Sequence, residues 1–361
     1  MSQRCFRVLA VLGVTAGSFG VGVSIARGDL IIDVGRGPVV VHVPPSYDPG
    51  TPAPLVMLLH GYGASGALQE AYMRFTPLAD AFGFLYVFPN GTIDCAGNRF
   101  WNATDACCNF CDSSIDDSGY LSALIDAIKI EANIDERRVC VIGHSNGGFM
   151  AYRMACDHAD TIAAIVSLAG ATFLDAADCT PSEPVHTLQI HGTADGTILY
   201  NGGCIFTCYP GAVATTEQWA AYDGCAIAGD TSPPPLDLDG GLPGDETVVT
   251  RYAADCDAGG SAELWTIVGG AHVPALSDDF SPLVIEFLLA HPKPARLPGD
   301  VEGDGDVDLA DFGVYARCMG GPDTVTPPAG CDAVDFASAD LDGDADVDLD
   351  DFAVLSLGFT G

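Results

Sequence analysis

Ser145 stands in Gly143-His144-Ser145-Asn146-Gly147, after the apolar run Val139–Ile142 and before the helical pattern Phe149–Arg153. A Gly-x-Ser-x-Gly between strand and helix forces a sharp turn that lifts one hydroxyl above a sheet. Side chains at Gly143 and Gly147 would clash across that turn. A serine hydroxyl becomes a useful nucleophile only when a base takes its proton and an acid orients the base. Five histidines follow Ser145: His158, His186, His191, His272 and His291. His272 comes after the strand-like Leu264–Val268 and the turn Gly269-Gly270-Ala271, at the tip of the last strand, where a base is expected. His191-Gly192-Thr193-Ala194-Asp195 places Asp195 just past the preceding strand, as the acid. Asp175 and Asp178 come too early for that role, and Asp278 comes after the base. His144 is expected to pack beneath the turn.

A tetrahedral oxyanion needs two backbone N–H donors. One is expected from Asn146. The other is expected from His60-Gly61-Tyr62-Gly63, the loop after Leu55–Leu59, with Tyr62 first and Gly63 second.

A second chemistry lies at the far end. Asp300, Glu302, Asp304, Asp306, Asp308 and Asp311 recur forty residues on as Asp340, Asp342, Asp344, Asp346, Asp348 and Asp351. Acidic residues at loop positions 1, 3, 5, 9 and 12 follow the calcium spacing of an EF-hand-like loop, and oxygen-only ligands suit a hard cation. Asp306 and Asp346, at position 7, are expected to ligate through the backbone carbonyl. Ala345 replaces the glycine favoured at position 6, which predicts a weaker second site.

The elements that must position these residues alternate. Strands are predicted at Val39–Val43, Leu55–Leu59, Phe84–Phe88, Val139–Ile142, Ala164–Leu168, Thr187–His191 and Leu264–Val268. Helices are predicted at Gly66–Ala81, Gly119–Ala132, Gly147–Asp157, Thr215–Tyr222 and Ser281–Leu289. Continuous apolar strands alternating with helices imply a doubly wound, mostly parallel sheet of the α/β class, whose sites lie at the strand carboxyl ends. Asp230–Glu246, rich in Pro, Gly and Asp, reads as a surface loop.

The chain divides into residues 1–26, a signal peptide with Arg4 and Arg7 before an apolar run; 27–291, the sheet domain; 292–298, a proline-spaced linker; and 299–361, the acidic module. Export fits fourteen cysteines, thirteen of them beyond the leader, with Cys140 expected free inside its strand. The net charge of −35 excludes nucleic acid and anionic membrane as natural partners.

Leu58–Gly61, Phe88–Gly91, Trp101–Ala103, Asp117–Tyr120, Gly143–Gly148, His191–Asp195 and Gly269–His272 together resemble the secreted polyhydroxybutyrate depolymerase and feruloyl esterase family, which includes acetylxylan esterases of the first carbohydrate esterase family. The resemblance spans most of residues 35–290. It implies a lidless α/β-hydrolase with a disulfide-bonded rim, and puts Ser145, Asp195 and His272 on the triad positions. It also implies the pairs Cys225–Cys256 and Cys156–Cys179. Pairing among Cys95, Cys107, Cys108, Cys111, Cys204 and Cys208 stays open. Val273-Pro274 stands where the family often has Thr-Trp-Pro, so an aromatic wall is expected to be missing, and His144 stands where it often has Leu. The acidic repeat is similar to a type I dockerin, which implies structural Ca2+, a Cys318–Cys331 staple and a cohesin-like or cell-surface partner. The chemistry itself needs no cofactor.

The expected function is a secreted serine carboxylic-ester hydrolase, working through an acyl-enzyme on feruloyl or acetyl esters of plant polysaccharide. Polyhydroxybutyrate is the alternative substrate. A non-catalytic hydrolase-fold binding protein is the alternative of another class, and a peptidase lacks any motif for its substrate amine.

Overall fold

The computed structural model describes residues 28–111, 113–295, 297–301 and 307–358. The expected signal peptide and the ligands Glu302, Asp304 and Asp306 lie outside the described residues.

A nine-stranded sheet forms the centre. Its strands are β1 (Leu30–Ile32), β2 (Val39–His42), β3 (Ala53–Leu59), β4 (Leu85–Val87), β7 (Ile134–His144), β8 (Ala164–Leu168), β9 (His186–Gly192), β12 (Thr247–Tyr252) and β13 (Ser261–Ile267), in the order β1-β2-β4-β3-β7-β8-β9-β13-β12. The six from β4 to β13 run parallel, and the edges are antiparallel. Two short ribbons stand apart: β5 (Thr92–Ile93) with β6 (Arg99–Phe100), and β10 (Gly202–Cys204) with β11 (Cys208–Pro210).

Alternate residues of each strand serve opposite faces. Leu55, Met57, Val139, Val141 and Ile165 pack with α3 (Asp117–Glu131), α4 (Asn146–Asp157) and α5 (Ala212–Tyr222). Val56, Leu58, Cys140, Ile142 and Val166 pack with α1 (Gly66–Met73), α2 (Thr76–Phe82) and α6 (Phe280–Ala290). Every residue of β8 is buried, Ser167 included, as expected of a central strand covered on both faces.

One predicted helix is two. Arg74 takes a left-handed cap conformation at φ 56°, its N–H bonded to the Glu70 carbonyl, and Pro77 opens the next helix. β12, not anticipated, is an edge strand, Thr247-Val248-Val249-Thr250-Arg251-Tyr252, in which Thr247, Val249 and Tyr252 are buried and Val248 and Arg251 are exposed. The expected linker begins docked: Lys293 N–H donates to the Arg137 carbonyl at 2.9 Å, and its ammonium meets Glu183 at 2.7 Å.

The C-terminal residues have a core of their own around Val307, Tyr315, Cys318, Phe336, Val347 and Leu355. It joins α7 (Leu309–Cys318), α8 (Ala333–Ala339) and α9 (Leu349–Gly358), with a Cys318–Cys331 disulfide. Disulfides also pair Cys156 with Cys179 and Cys225 with Cys256, as expected, and close Cys95–Cys111, Cys107–Cys108 and Cys204–Cys208. Cys140 is free and buried. No helix among the described residues is long and apolar enough to cross a membrane.

Candidate active site

Ser145 links β7 to α4 at φ 54°, ψ −120°. A non-glycine residue there stores about 1–3 kcal/mol of strain and persists only when its neighbours over-determine it. Its N–H donates to the Leu168 carbonyl at 2.8 Å, and its own carbonyl accepts from Gly148 at 2.8 Å and Phe149 at 3.0 Å. A Cβ at Gly143 would lie 2.0 Å from the Gly147 oxygen, and one at Gly147 would lie 2.2 Å from the Leu59 oxygen. The elbow therefore admits only hydrogen at both positions.

The structure brings Ser145, His272 and Asp195 together. Ser145 Oγ lies 2.9 Å from His272 Nε2, and His272 Nδ1 lies 2.8 Å from Asp195 Oδ2. The Asp195 carboxylate is buried, and its second oxygen accepts the Thr197 and Ile198 amides at 2.8 and 2.9 Å. Burial alone would raise its pKa; hydrogen bonds from His191, His272 and the Thr197 amide outweigh that and hold it well below the usual carboxylate range.

His191 was not anticipated as part of the site. Its Nε2 lies 2.8 Å from the Ile198 carbonyl and 3.3 Å from Asp195 Oδ2, while Nδ1 faces the Gln189 amide at 2.9 Å. The other histidines are engaged elsewhere: His158 with Ser118, His186 with Ser261 and His291 with the Phe287 carbonyl. His144 reaches the backbone carbonyl of His272.

The anion-binding side needs one correction. The Gly63 N–H donates to the Arg99 carbonyl at 2.8 Å, so Gly63 is spent, because the loop pairs with the end of β6. The amides of Tyr62 and Asn146 have no acceptor among the described residues. Asn146 also fixes a wall through its side chain. Its Oδ1 accepts the Trp101 N–H at 2.7 Å and its Nδ2 donates to the Trp101 carbonyl at 2.9 Å, as a strand neighbour would. The Trp101 indole in turn donates to the His60 carbonyl at 3.0 Å. His60 accepts the Gly91 N–H on Nε2, which leaves its proton on Nδ1 for the Gly61 carbonyl. Burial lowers its pKa to about 4, so this staple is neutral.

Above Tyr62 the rim is aromatic. The Tyr62 and Phe110 rings meet edge-on at 4.9 Å, and Phe110 meets Phe206 at 5.3 Å. Phe206 is 68% exposed at the tip of the β10–β11 ribbon, which the Cys204–Cys208 disulfide closes and a Thr207–Asp105 hydrogen bond ties across. The expected loss of an aromatic wall concerned Val273; these rings come from other segments, Phe110 and Phe206 on disulfide loops whose meeting no local sequence signal announces.

In the second acidic repeat, carboxylate oxygens of Asp340, Asp342 and Asp351 lie within 4.8 Å of one another, as do those of Asp346, Asp348 and Asp351. The Asp346 side chain, expected to turn away, joins this cluster with one buried oxygen lacking a hydrogen-bond partner. Asp351 accepts the Leu341 amide at 2.6 Å and the Asp348 amide at 2.7 Å; Asp311 accepts those of Val301 and Asp308 at the same distances. The two repeats thus share one loop closure. Hard carboxylate donors with an unpartnered buried oxygen fit a divalent cation such as calcium.

Residues 47–209 match the phospholipase/carboxylesterase family. The fold is that of the acetyl xylan esterase from Aspergillus awamori, with a TM-score of 0.50 over 70% of this chain and 93% of that one, at 16% identity. The sheet domain has the α/β-hydrolase fold. This domain carries the similarity to curated relatives. It is 31% identical to the putative esterase NocK of Nocardia uniformis subsp. tsuyamanensis over 43% of this chain and 45% of that protein. It is 27% identical to feruloyl esterase B of Piromyces equi over 65% of this chain and 42% of that protein. The bifunctional acetylxylan esterase/xylanase XynS20E of Neocallimastix patriciarum is 30% identical over 44% of this chain and 22% of its own length. The chain thus spans less than half of these three relatives.

Proposed function

We propose that the protein is a secreted serine esterase that cleaves aromatic acyl esters of plant polysaccharide, with a dockerin-like calcium module at its C-terminus. The observation that carries this reading is the unbroken hydrogen-bond chain from Ser145 Oγ through the His272 ring to the buried Asp195 carboxylate.

His272 Nε2 takes the Ser145 proton as Oγ attacks the ester carbonyl. The oxyanion sits on the Tyr62 and Asn146 amides, at the positive end of α4. Asp195 holds the His272 proton on Nδ1 and balances the imidazolium. His272 then protonates the departing alcohol, and an acyl group remains on Ser145. Water, deprotonated by His272, releases the acid and restores the serine.

The choice of ester rests on the rim. His272 must reach the leaving oxygen, so the alcohol departs on the side of the His272–Pro274 loop. That loop is tied to Tyr72, which packs against the α1–α2–α6 core, whereas Tyr62 packs against the α3–α4–α5 core. The acyl group is left facing Tyr62, Phe110 and Phe206, which suit a planar ring better than an acetyl group. The names of the curated relatives, feruloyl esterase among them, support the same class.

The first test is the hydrolysis rate of methyl ferulate by the native protein and by Ser145→Ala; turnover that survives in the variant rules out this nucleophile. The rim is tested by Phe206→Ala. Aromatic pairing is worth about 0.5–1.5 kcal/mol, so kcat/KM on methyl ferulate should fall about 3- to 10-fold. Turnover of an acetyl ester should stay within about twofold of the native rate, because an acetyl group cannot reach the ring and loses no such pairing. Equal losses on both esters would mean that Phe206 does not read the acyl group.

In the module, Asp300, Glu302, Asp304, Asp308 and Asp311 would hold one calcium ion, with the carbonyl of Asp306, and Asp340, Asp342, Asp344, Asp348 and Asp351 a second, with the Asp346 carboxylate in reach beside its carbonyl. Calcium supplies charge neutralisation and loop order there. The module would attach the esterase to a cohesin-like or cell-surface partner.

A further inference from the structure

The loop that carries His272 has little backbone support. Between β13 and the bridge at Leu276, residues 271–274 belong to no strand. Two side chains from elsewhere reach its carbonyls. His144 Nε2 lies 2.9 Å from the His272 oxygen, and Tyr72 Oη donates to the Pro274 oxygen at 2.7 Å. The rings follow one another at tilted angles, Tyr72 5.8 Å from His144 and His144 5.1 Å from His272.

His144 is the last residue of β7, one before the nucleophile, and is anchored in register with Leu168 of β8. A carbonyl only accepts, so Nε2 of His144 carries the proton and the ring is a donor. Burial lowers its pKa to about 4, so the ring stays neutral beside His272. One hydrogen bond therefore joins the rigid strand behind Ser145 to the loop of its base.

We propose that His144 is a positioning residue: it sets the Ser145–His272 distance by holding the His272 backbone, with Tyr72 as the second tether. The role rests on the reading of Ser145 and His272 as nucleophile and base. It matters because a misplacement of about 1 Å in a reacting pair costs on the order of 100-fold in rate.

The experiment compares the full-length native protein with His144→Phe, His144→Gln and Tyr72→Phe. The readouts are kcat and KM on p-nitrophenyl acetate and the rate of Ser145 labelling by a fluorophosphonate. Phe keeps a ring and loses the donor; Gln returns an N–H at similar reach. His144→Phe should lower kcat and the labelling rate together by about 30-fold, within the loss expected of a misplaced base, and leave KM within about twofold. His144→Gln should recover to within about threefold of native, which packing alone would not produce. Tyr72→Phe should cost about 3- to 5-fold, and it reads the same tethered loop should His144→Phe fail to fold.

A folded His144→Phe protein with native kcat overturns the proposal. So does a Gln variant as slow as Phe, and so does an unchanged Tyr72→Phe where His144→Phe does not fold. A native protein that neither turns over the ester nor takes the label overturns the nucleophile–base reading and the tether with it. Native labelling with a neutral His144→Phe overturns the tether alone.

Discussion

Asp195→Asn is expected to lower kcat on an ester by about 10^4-fold with the fold retained, and Ser145→Ala by about 10^6-fold. The Asn effect follows from which way the amide must face. Asp195 Oδ1 accepts two backbone N–H groups, from Thr197 and Ile198. An Asn side chain satisfies them only with its oxygen in that place, so its NH2 turns toward His272. Nδ1 of His272 must then accept, which moves the ring proton to Nε2 and leaves no lone pair for the Ser145 hydroxyl. The substitution keeps volume and loop contacts but imposes the wrong tautomer. His191 Nε2–H, 3.3 Å from the other carboxylate oxygen, opposes this orientation, but that one long contact is outweighed by the two amide bonds to Oδ1, and Nε2–H keeps the Ile198 carbonyl as acceptor at 2.8 Å. Single-turnover rates on p-nitrophenyl acetate, with thermal midpoints alongside, measure both variants. More than a tenth of native kcat in Asp195→Asn would remove Asp195 from the acid's place.

Much of this site was legible because its constraints are local. The elbow needs hydrogen at residues 143 and 147, and no other spacing supplies that. The parallel centre of the sheet was legible because strands buried on both faces show no alternating polar side; β8 is buried throughout with Ser167 its single polar residue. What escaped depends on contacts between distant segments. Nothing near Gly63 says that Arg99 will take its amide, and nothing near Asn146 says that its side chain will pair with Trp101. His191 read as an ordinary strand residue until the turn after β9 folded Asp195 back onto it. The break at Arg74 was missed because helical periodicity continues across it. The edge strand β12 was missed because its short run does not alternate and follows a Pro- and Gly-rich stretch that reads as loop.

Chelation by EGTA is expected to melt the C-terminal helices and leave ester turnover unchanged. Residues 340–351 hold seven aspartates, and no Lys or Arg follows Arg317. Carboxylate oxygens within 4.8 Å of each other repel when ionised. Against this stand a small core and one disulfide, which for so short a segment leave little margin. A divalent cation reverses the sign of every pair it bridges. Calorimetry of the full chain should show a small transition that drops by more than about 10 °C on chelation, the size of shift that a few kcal/mol produces in so small a unit, and a large one that does not move. Ala345 refines the test: it stands at φ 75°, a conformation that favours glycine by roughly 1 kcal/mol. Ala345→Gly should therefore raise the small transition and tighten calcium binding by titration, because it relieves strain in the loop that the ion closes. If EGTA leaves the thermogram as it was, the core and the Cys318–Cys331 staple hold the repeats without an ion, and the paired aspartates must owe their spacing to loop closure by Asp311 and Asp351 alone.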